Sequence, residues 1–191
     1  MPYFDGDHLS IDFALYNGNI RWHFAMKGHK RDNGTFTHWE YVECPSDILE
    51  FVEEWVAEFV PDHSGVVNFE FIDGNLIEFH PRMTCQWVDL YGKGWLECVV
   101  ELYKGDDWHF KNEADTGFSF VLHTTEDGMY DWVTYNNPDI MSYQLTYAPD
   151  MRLSEEANHD THYRLAVVNG RNPDTCKEAI KDLSLLIQRH A

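Results

Sequence analysis

The sequence is poor in positive charge: 14 Lys and Arg stand against 33 Asp and Glu, a formal net charge of −19 with His neutral. A field of that sign repels phosphate backbones and anionic lipid, which argues against nucleic-acid and membrane partners. Cysteine is scarce too. Cys44, Cys85, Cys98 and Cys176 form no C-x-x-C pair and lack the dense spacing of a secreted scaffold, so a disulfide-free fold in a reducing compartment is expected. The N-terminal MPYFDGDHLSIDF has neither the basic nor the apolar region of a leader, and no apolar run reaches membrane-spanning length. A soluble, cytoplasmic protein is the expectation. Walker loop, dinucleotide fingerprint and Ser-His-Asp signature are all missing, which leaves nucleophilic hydrolase chemistry without support. The acidic balance still allows a nucleotide, provided a divalent cation or a local basic pocket neutralises the phosphates.

Apolar residues are plentiful. They make up 43% of the 191 positions, aromatics 15%, with seven Trp, enough for one domain with a sizeable core. Residues 9–16 and 20–26 alternate apolar with polar around Asn17-Gly18, a strong hairpin signal. Residues 27–37 read as a loop and 38–42 as a third strand. Asp47 and Glu50 have capping-box spacing ahead of Ile48, Phe51, Val52, Trp55, Val56 and Phe59 at helical intervals, so a helix is expected up to Pro61. A second helix is expected over 95–103, with Gly105 as its stop. Strands are expected at 118–123, 130–135, 142–147 and 163–168, implying a second, mostly antiparallel sheet. A closing helix has Asn172 as N-cap, Pro173 at the first helical position, and Cys176, Ala179, Ile180, Leu183, Leu186 and Ile187 on one face.

The chemically informative stretch is GVVNFEFIDGNLIEFHPRM, residues 65–83. Asn68 and Glu70 share one strand face, and Glu78 and His80 share one face of the returning strand. A two-residue Asp73-Gly74 loop would set Glu70 opposite Ile77 and split the glutamates across the sheet. A three-residue loop through Asn75 sets Glu70 opposite Glu78 and Asn68 opposite His80. The second register is expected, because it gathers Phe69, Phe71, Ile77 and Phe79 on one apolar face. Adjacent carboxylates repel unless one is protonated or a cation lies between them, and such oxygen ligands suit Mg²⁺ or Mn²⁺. The plainer reading is the wet face of an ordinary ribbon, with Arg82 neutralising it.

The segment NFEFIDGNLIEFHPR resembles the metal-binding hairpin of ATP-grasp enzymes, in which an acidic strand residue precedes an E-x-N-P-R or E-x-N-x-R motif. The resemblance implies an α+β fold like the C-terminal lobe of that family, with a mostly antiparallel sheet and helices packed on one face. Glu70 would be the first Mg²⁺-binding carboxylate, Glu78 the second, bridging two metals, and Arg82 the catalytic arginine facing phosphate or acyl phosphate. His80 takes the place usually held by asparagine and shifts the metal preference toward Mn²⁺, Zn²⁺ or none. The flanks agree: GDHLSIDFALYNGNIR is similar to the family's G-x-E-x-S-V-D strand and hairpin, and HYRLAVVNGRNPDTCKEAIKDL to its closing strand and helix. The implied organisation is one domain over 1–191, with a metal- and nucleotide-binding core at 1–104 and C-terminal strands and helix at 105–191.

The resemblance begins at the second lobe. It therefore implies ATP and Mg²⁺ or Mn²⁺ as cofactors of a reduced or split carboxylate-amine or carboxylate-thiol ligase, with the first lobe supplied by a partner chain or a homo-oligomer. The competing expectation is a non-catalytic binding or scaffolding protein that keeps the lobe. Two further clusters carry less. Ser10 and Asp12, with Arg21 and His23 on the partner strand, read as an exposed strand face, and His159-Asp160-Thr161-His162 reads as a solvated turn.

Overall fold

The computed structural model describes residues 5–31, 35–111, 115–126, 128–131, 133–145 and 163–189. In chain order the elements are β1 (His8–Tyr16), β2 (Asn19–Lys30), β3 (Phe36–Val42), α1 (Ser46–Phe59), β4 (Gly65–Ile72), β5 (Asn75–His80), α2 (Trp95–Lys104), β6 (Phe118–Thr124), β7 (Ser142–Leu145), β8 (Tyr163–Gly170) and α3 (Pro173–Leu186), with a 3₁₀ turn at Val88–Leu90. The class is α+β, and every strand pairing described below is antiparallel. Two compact units emerge, Met1–Gly28 with Tyr41–Asp115, and His29–Glu40 with Thr116–Ala191.

In the first unit the strand order is β5-β4-β1-β2. The β1–β2 turn follows from sequence: Asn17 and Gly18 both take positive φ, 48° and 70°, as a two-residue primed turn requires. One sheet face is apolar. Ile11, Phe13, Phe69 and Phe71 are fully buried there, and α1 covers them with Ile48, Val52 and Val56. Trp55 adds an edge contact to Phe69, ring centroids 5.1 Å apart. Each fully buried aromatic of this kind stabilises the fold by about 1.5–3 kcal/mol relative to an exposed one. The Asp47–Glu50 capping box does not form. The helix starts at Ser46 after Pro45, whose φ of −59° and ψ of 139° set the entry, and no side chain caps it. Asp47 thus falls inside the first turn, where its charge meets the positive end of the helix dipole.

In the second unit the order is β3-β6-β8-β7. The C-terminal strands do not make a sheet of their own, because β3 pairs with β6 through His38↔Phe120 and Glu40↔Phe118. Pairing also shortens the expected 27–37 loop: β2 runs on to Lys30 and β3 begins at Phe36. The stretch 130–135 is no strand among its described residues, where Tyr130 makes only an isolated bridge to Arg189. Positions 146–147 of the expected strand, and the His159–His162 motif, lie outside the described residues. α3 begins as expected, with Asn172 Oδ1 accepting from the Asp174 and Thr175 amides at 2.9 and 3.2 Å. Cys176, Ala179 and Leu183 seat it on Phe120, Ala166 and Val168. Among the described residues, no helix is long and apolar enough to cross a membrane.

Candidate functional site

The β4–β5 hairpin sets Glu70 directly opposite Glu78 and Asn68 opposite His80. It reaches this register by a different route from the expected three-residue loop. Asp73 and Gly74, at φ 49° and 74°, form a two-residue turn that pairs Ile72 with Asn75 and Phe71 with Leu76. Ile77 is then the extra residue of a β-bulge, and beyond it the glutamates meet. Leu76, rather than Ile77, joins Phe79 against the core.

Next to the hairpin, β1 is aligned with β4 so that Ser10 faces Glu70 and Asp12 faces Asn68. Each glutamate has an imidazole beside it. His8 Nε2 lies 3.1 Å from Glu70 Oε2, and His80 Nε2 lies 3.0 Å from Glu78 Oε2. Glu70 is the more enclosed carboxylate, with 26% of its side chain accessible against 57% for Glu78. One ligand atom each from Glu70, Glu78 and His80 lie within 4.8 Å of one another. Arg82 is exposed, donates to the Met83 carbonyl at 3.4 Å, and makes no ion pair among the described residues.

Asp12 is fully buried, contrary to the exposed strand face expected for it and Ser10. Its Oδ1 accepts from Asn68 Nδ2 at 3.1 Å and from the Thr84 amide at 2.9 Å, and its Oδ2 from Trp87 Nε1 at 3.3 Å and from the Tyr91 hydroxyl. Asn68 also donates to Ser10 Oγ at 3.0 Å. Burial pushes the Asp12 carboxyl up to about 6, against the opposing hydrogen bonds of Tyr91, Thr84, Asn68 and Trp87. The Tyr91 phenol is held well above its ordinary value by burial and by Asp12, so it stays a donor. Aromatic rings supply the dry wall: Tyr91 packs against Phe24 at 4.9 Å, Trp22 at 5.0 Å and Trp95 at 4.5 Å. Asp12 thus ties β1 to the segment following β5, the one that carries Arg82.

His23 is not part of this constellation. It pairs with Phe13, one residue out of step with Asp12, and so lies on the opposite sheet face. Arg21 is taken up by Asp107, 2.9 Å away. His8, conversely, was absent from the expected site residues. The period-two alternation that places it on the Ser10 and Asp12 face was the available signal.

No family model matches the sequence, and no curated protein matches it. Solved structures do. The chain is similar to phosphoribosylglycinamide synthetase from Anaerococcus prevotii, with TM-score 0.66 and 12% identity over 98% of this chain and 54% of that one. It is similar to L-amino acid ligase from Bacillus licheniformis, with TM-score 0.68 and 11% identity over 98% and 52%. A third is the biotin carboxylase domain of Hydrogenobacter thermophilus 2-oxoglutarate carboxylase, in complex with MgADP, ADP and bicarbonate, with TM-score 0.64 and 10% identity over 96% and 46%. The chain spans about half the length of each. At these identities the likeness concerns architecture, and it assigns this chain the ATP-grasp fold over about half the length of the enzymes that share it.

Proposed function

We propose that the chain is a reduced or split ATP-grasp-type protein that binds ATP phosphates through divalent cations at the β4–β5 hairpin, for carboxylate-amine or carboxylate-thiol ligation. The observation that carries this reading is the direct cross-strand pairing of Glu70 with Glu78. The two carboxylates are ligands that Mg²⁺ or Mn²⁺ accepts, and the imidazole, with its ligand atom within 4.8 Å of theirs, tilts the set toward Mn²⁺. Bound there, the cations would neutralise phosphate charge in a strongly acidic protein. Glu70 and Glu78 hold and orient them. His80 supplies the softer ligand. Arg82, exposed and without an ion pair among the described residues, meets phosphate or acyl phosphate charge. Enclosing ATP and excluding water need the half of the fold that these residues do not span.

One observation favours the alternative of a non-catalytic binding or scaffolding protein. His8 and His80 already lie at hydrogen-bond distance from the two glutamates, so the carboxylates have partners without a cation. Titration of the full chain with Mg²⁺-ATP and Mn²⁺-ATP, followed by calorimetry and thermal shift, separates the two. Saturable stabilisation that Glu78→Gln abolishes is expected. No stabilisation with either metal would leave the binding-protein reading standing.

A further inference from the structure

The second unit holds a cluster of ligand-capable side chains that the hairpin reading leaves unused. His29 at the end of β2, with His38 and Glu40 on β3, brings two imidazole nitrogens and a carboxylate oxygen within 4.8 Å of one another. His29 Nε2 is 2.9 Å from Glu40 Oε2. The His38 ring lies flat on His29, centroids 4.1 Å and planes 5° apart, and stacks on Phe120 at 4.6 Å and 6°. The β3–β6 register creates the second contact by setting His38 opposite Phe120.

Thr37 decides which nitrogen of His38 is free. Its hydroxyl donates to the His29 carbonyl at 3.0 Å, and a hydroxyl has one proton. The same oxygen therefore accepts from His38 Nδ1–H, 2.9 Å away. Neutral His38 thus carries its proton on Nδ1 and its lone pair on Nε2, the arrangement a neighbouring hydrogen bond imposes on metal-binding histidines. Burial, then His29 and Lys177, hold His38 below its ordinary pKa against the pull of Glu40.

We propose that His29, His38 and Glu40 form a binding site for a divalent transition metal, Zn²⁺ fitting best, with coordination positions left for water or a further ligand. Two imidazoles and one carboxylate are a borderline donor set, chemically distinct from the oxygen-rich hairpin. With metal–ligand bonds of about 2.0–2.2 Å, ligand atoms in a tetrahedral site stand roughly 3.3 Å apart, wider than the present 2.9 Å between His29 and Glu40, so that pair opens on binding. A bound ion lies in the plane of each ring, and parallel rings cannot both point at it. His38 is held by Phe120 and Thr37. His29, 36% accessible, is the ring that turns, exchanging its Glu40 contact for the metal. Lys177, paired with Asp174 at 3.2 Å and 6.0 Å from the Phe120 ring centroid, is the cation bearing on His38 from α3, and it tempers the affinity.

The test is titration of the full chain with Zn²⁺ in competition with a chromophoric chelator. His38→Gln and Glu40→Gln are expected to weaken binding by at least about tenfold, with Glu78→Gln reporting any Zn²⁺ held at the hairpin instead. Equal Zn²⁺ affinity in the native chain and His38→Gln, or a loss confined to Glu78→Gln, would overturn the site. The imidazole ¹⁵N resonances of the unsubstituted protein read the same question without a variant. Zn²⁺ should shift Nε2 of His38 while its Nδ1 stays protonated, and no change at His29 and His38 at saturating Zn²⁺ contradicts the proposal.

Discussion

Replacing Tyr91 by Phe removes one hydroxyl from the buried Asp12 carboxylate, and its cost is expected to depend on pH. The carboxyl is displaced from its ordinary 3.8 to about 6. At about 1.36 kcal/mol per pKa unit, the ionised form is about 3 kcal/mol less compatible with the fold than the protonated one. Because the folded-state value is raised, the stability this group contributes is fully present below pH 3.8 and is lost as pH rises through about 6. A hydrogen bond to an ionised acceptor contributes about 1.5–3 kcal/mol, against about 0.5–1.5 kcal/mol for a neutral one. Tyr91→Phe should therefore cost about 1 kcal/mol more at pH 7, with Asp12 ionised, than at pH 5, with Asp12 mostly protonated. Urea denaturation of both proteins at the two pH values measures this, since groups that titrate alike in both chains cancel. An equal cost at both pH values, or a larger one at pH 5, would refute the account of Asp12 as a buried, hydrogen-bonded carboxylate.

Two further outcomes follow from local geometry. Gly18→Ala places a Cβ 1.9 Å from the Pro61 carbonyl oxygen at φ +70°, whereas Gly74→Ala, at φ +74°, meets nothing within 4 Å. Thermal melts should show a loss of about 1–2 kcal/mol for Gly74→Ala, from the left-handed backbone alone, and a larger loss for Gly18→Ala. Among the thiols, Cys85 is exposed, while burial pushes Cys44 up to about 12 and Cys176 up to about 11. A disulfide reagent should label Cys85 in the native chain well before Cys44 and Cys176, which react only on denaturation.

The strands and helices were largely legible because their signals are local. Asn17-Gly18 fixes one hairpin, Asn172-Pro173 opens α3, and Gly105 ends α2 in the left-handed conformation. The pairing of Glu70 with Glu78 was legible from the apolar face it serves, but the bulge at Ile77 was not, since a two-residue turn plus one extra residue gives the same register as a three-residue loop. The burial of Asp12 was hidden for a different reason. Its partners Thr84, Trp87 and Tyr91 lie 72 to 79 positions along the chain, and alternation reports the face of a strand without reporting what covers it. Residues 27–37, which include His29, read as loop because polar residues dominate them, whereas His38 falls in the expected strand; β2 runs on to Lys30 and β3 begins at Phe36. What the sequence does not show is the pairing of His38 with Phe120 on β6, a contact across more than 80 positions.

The central claim is that Glu70 and Glu78 share a cation across the β4–β5 ribbon. Mn²⁺ titration of the full chain, with free and bound ion separated by electron paramagnetic resonance, tests it most directly. Saturable binding is expected, which Glu70→Gln and Glu78→Gln each weaken by about tenfold or more and His38→Gln leaves intact. Mn²⁺ bound with equal affinity by the native chain and by both glutamate variants would contradict it.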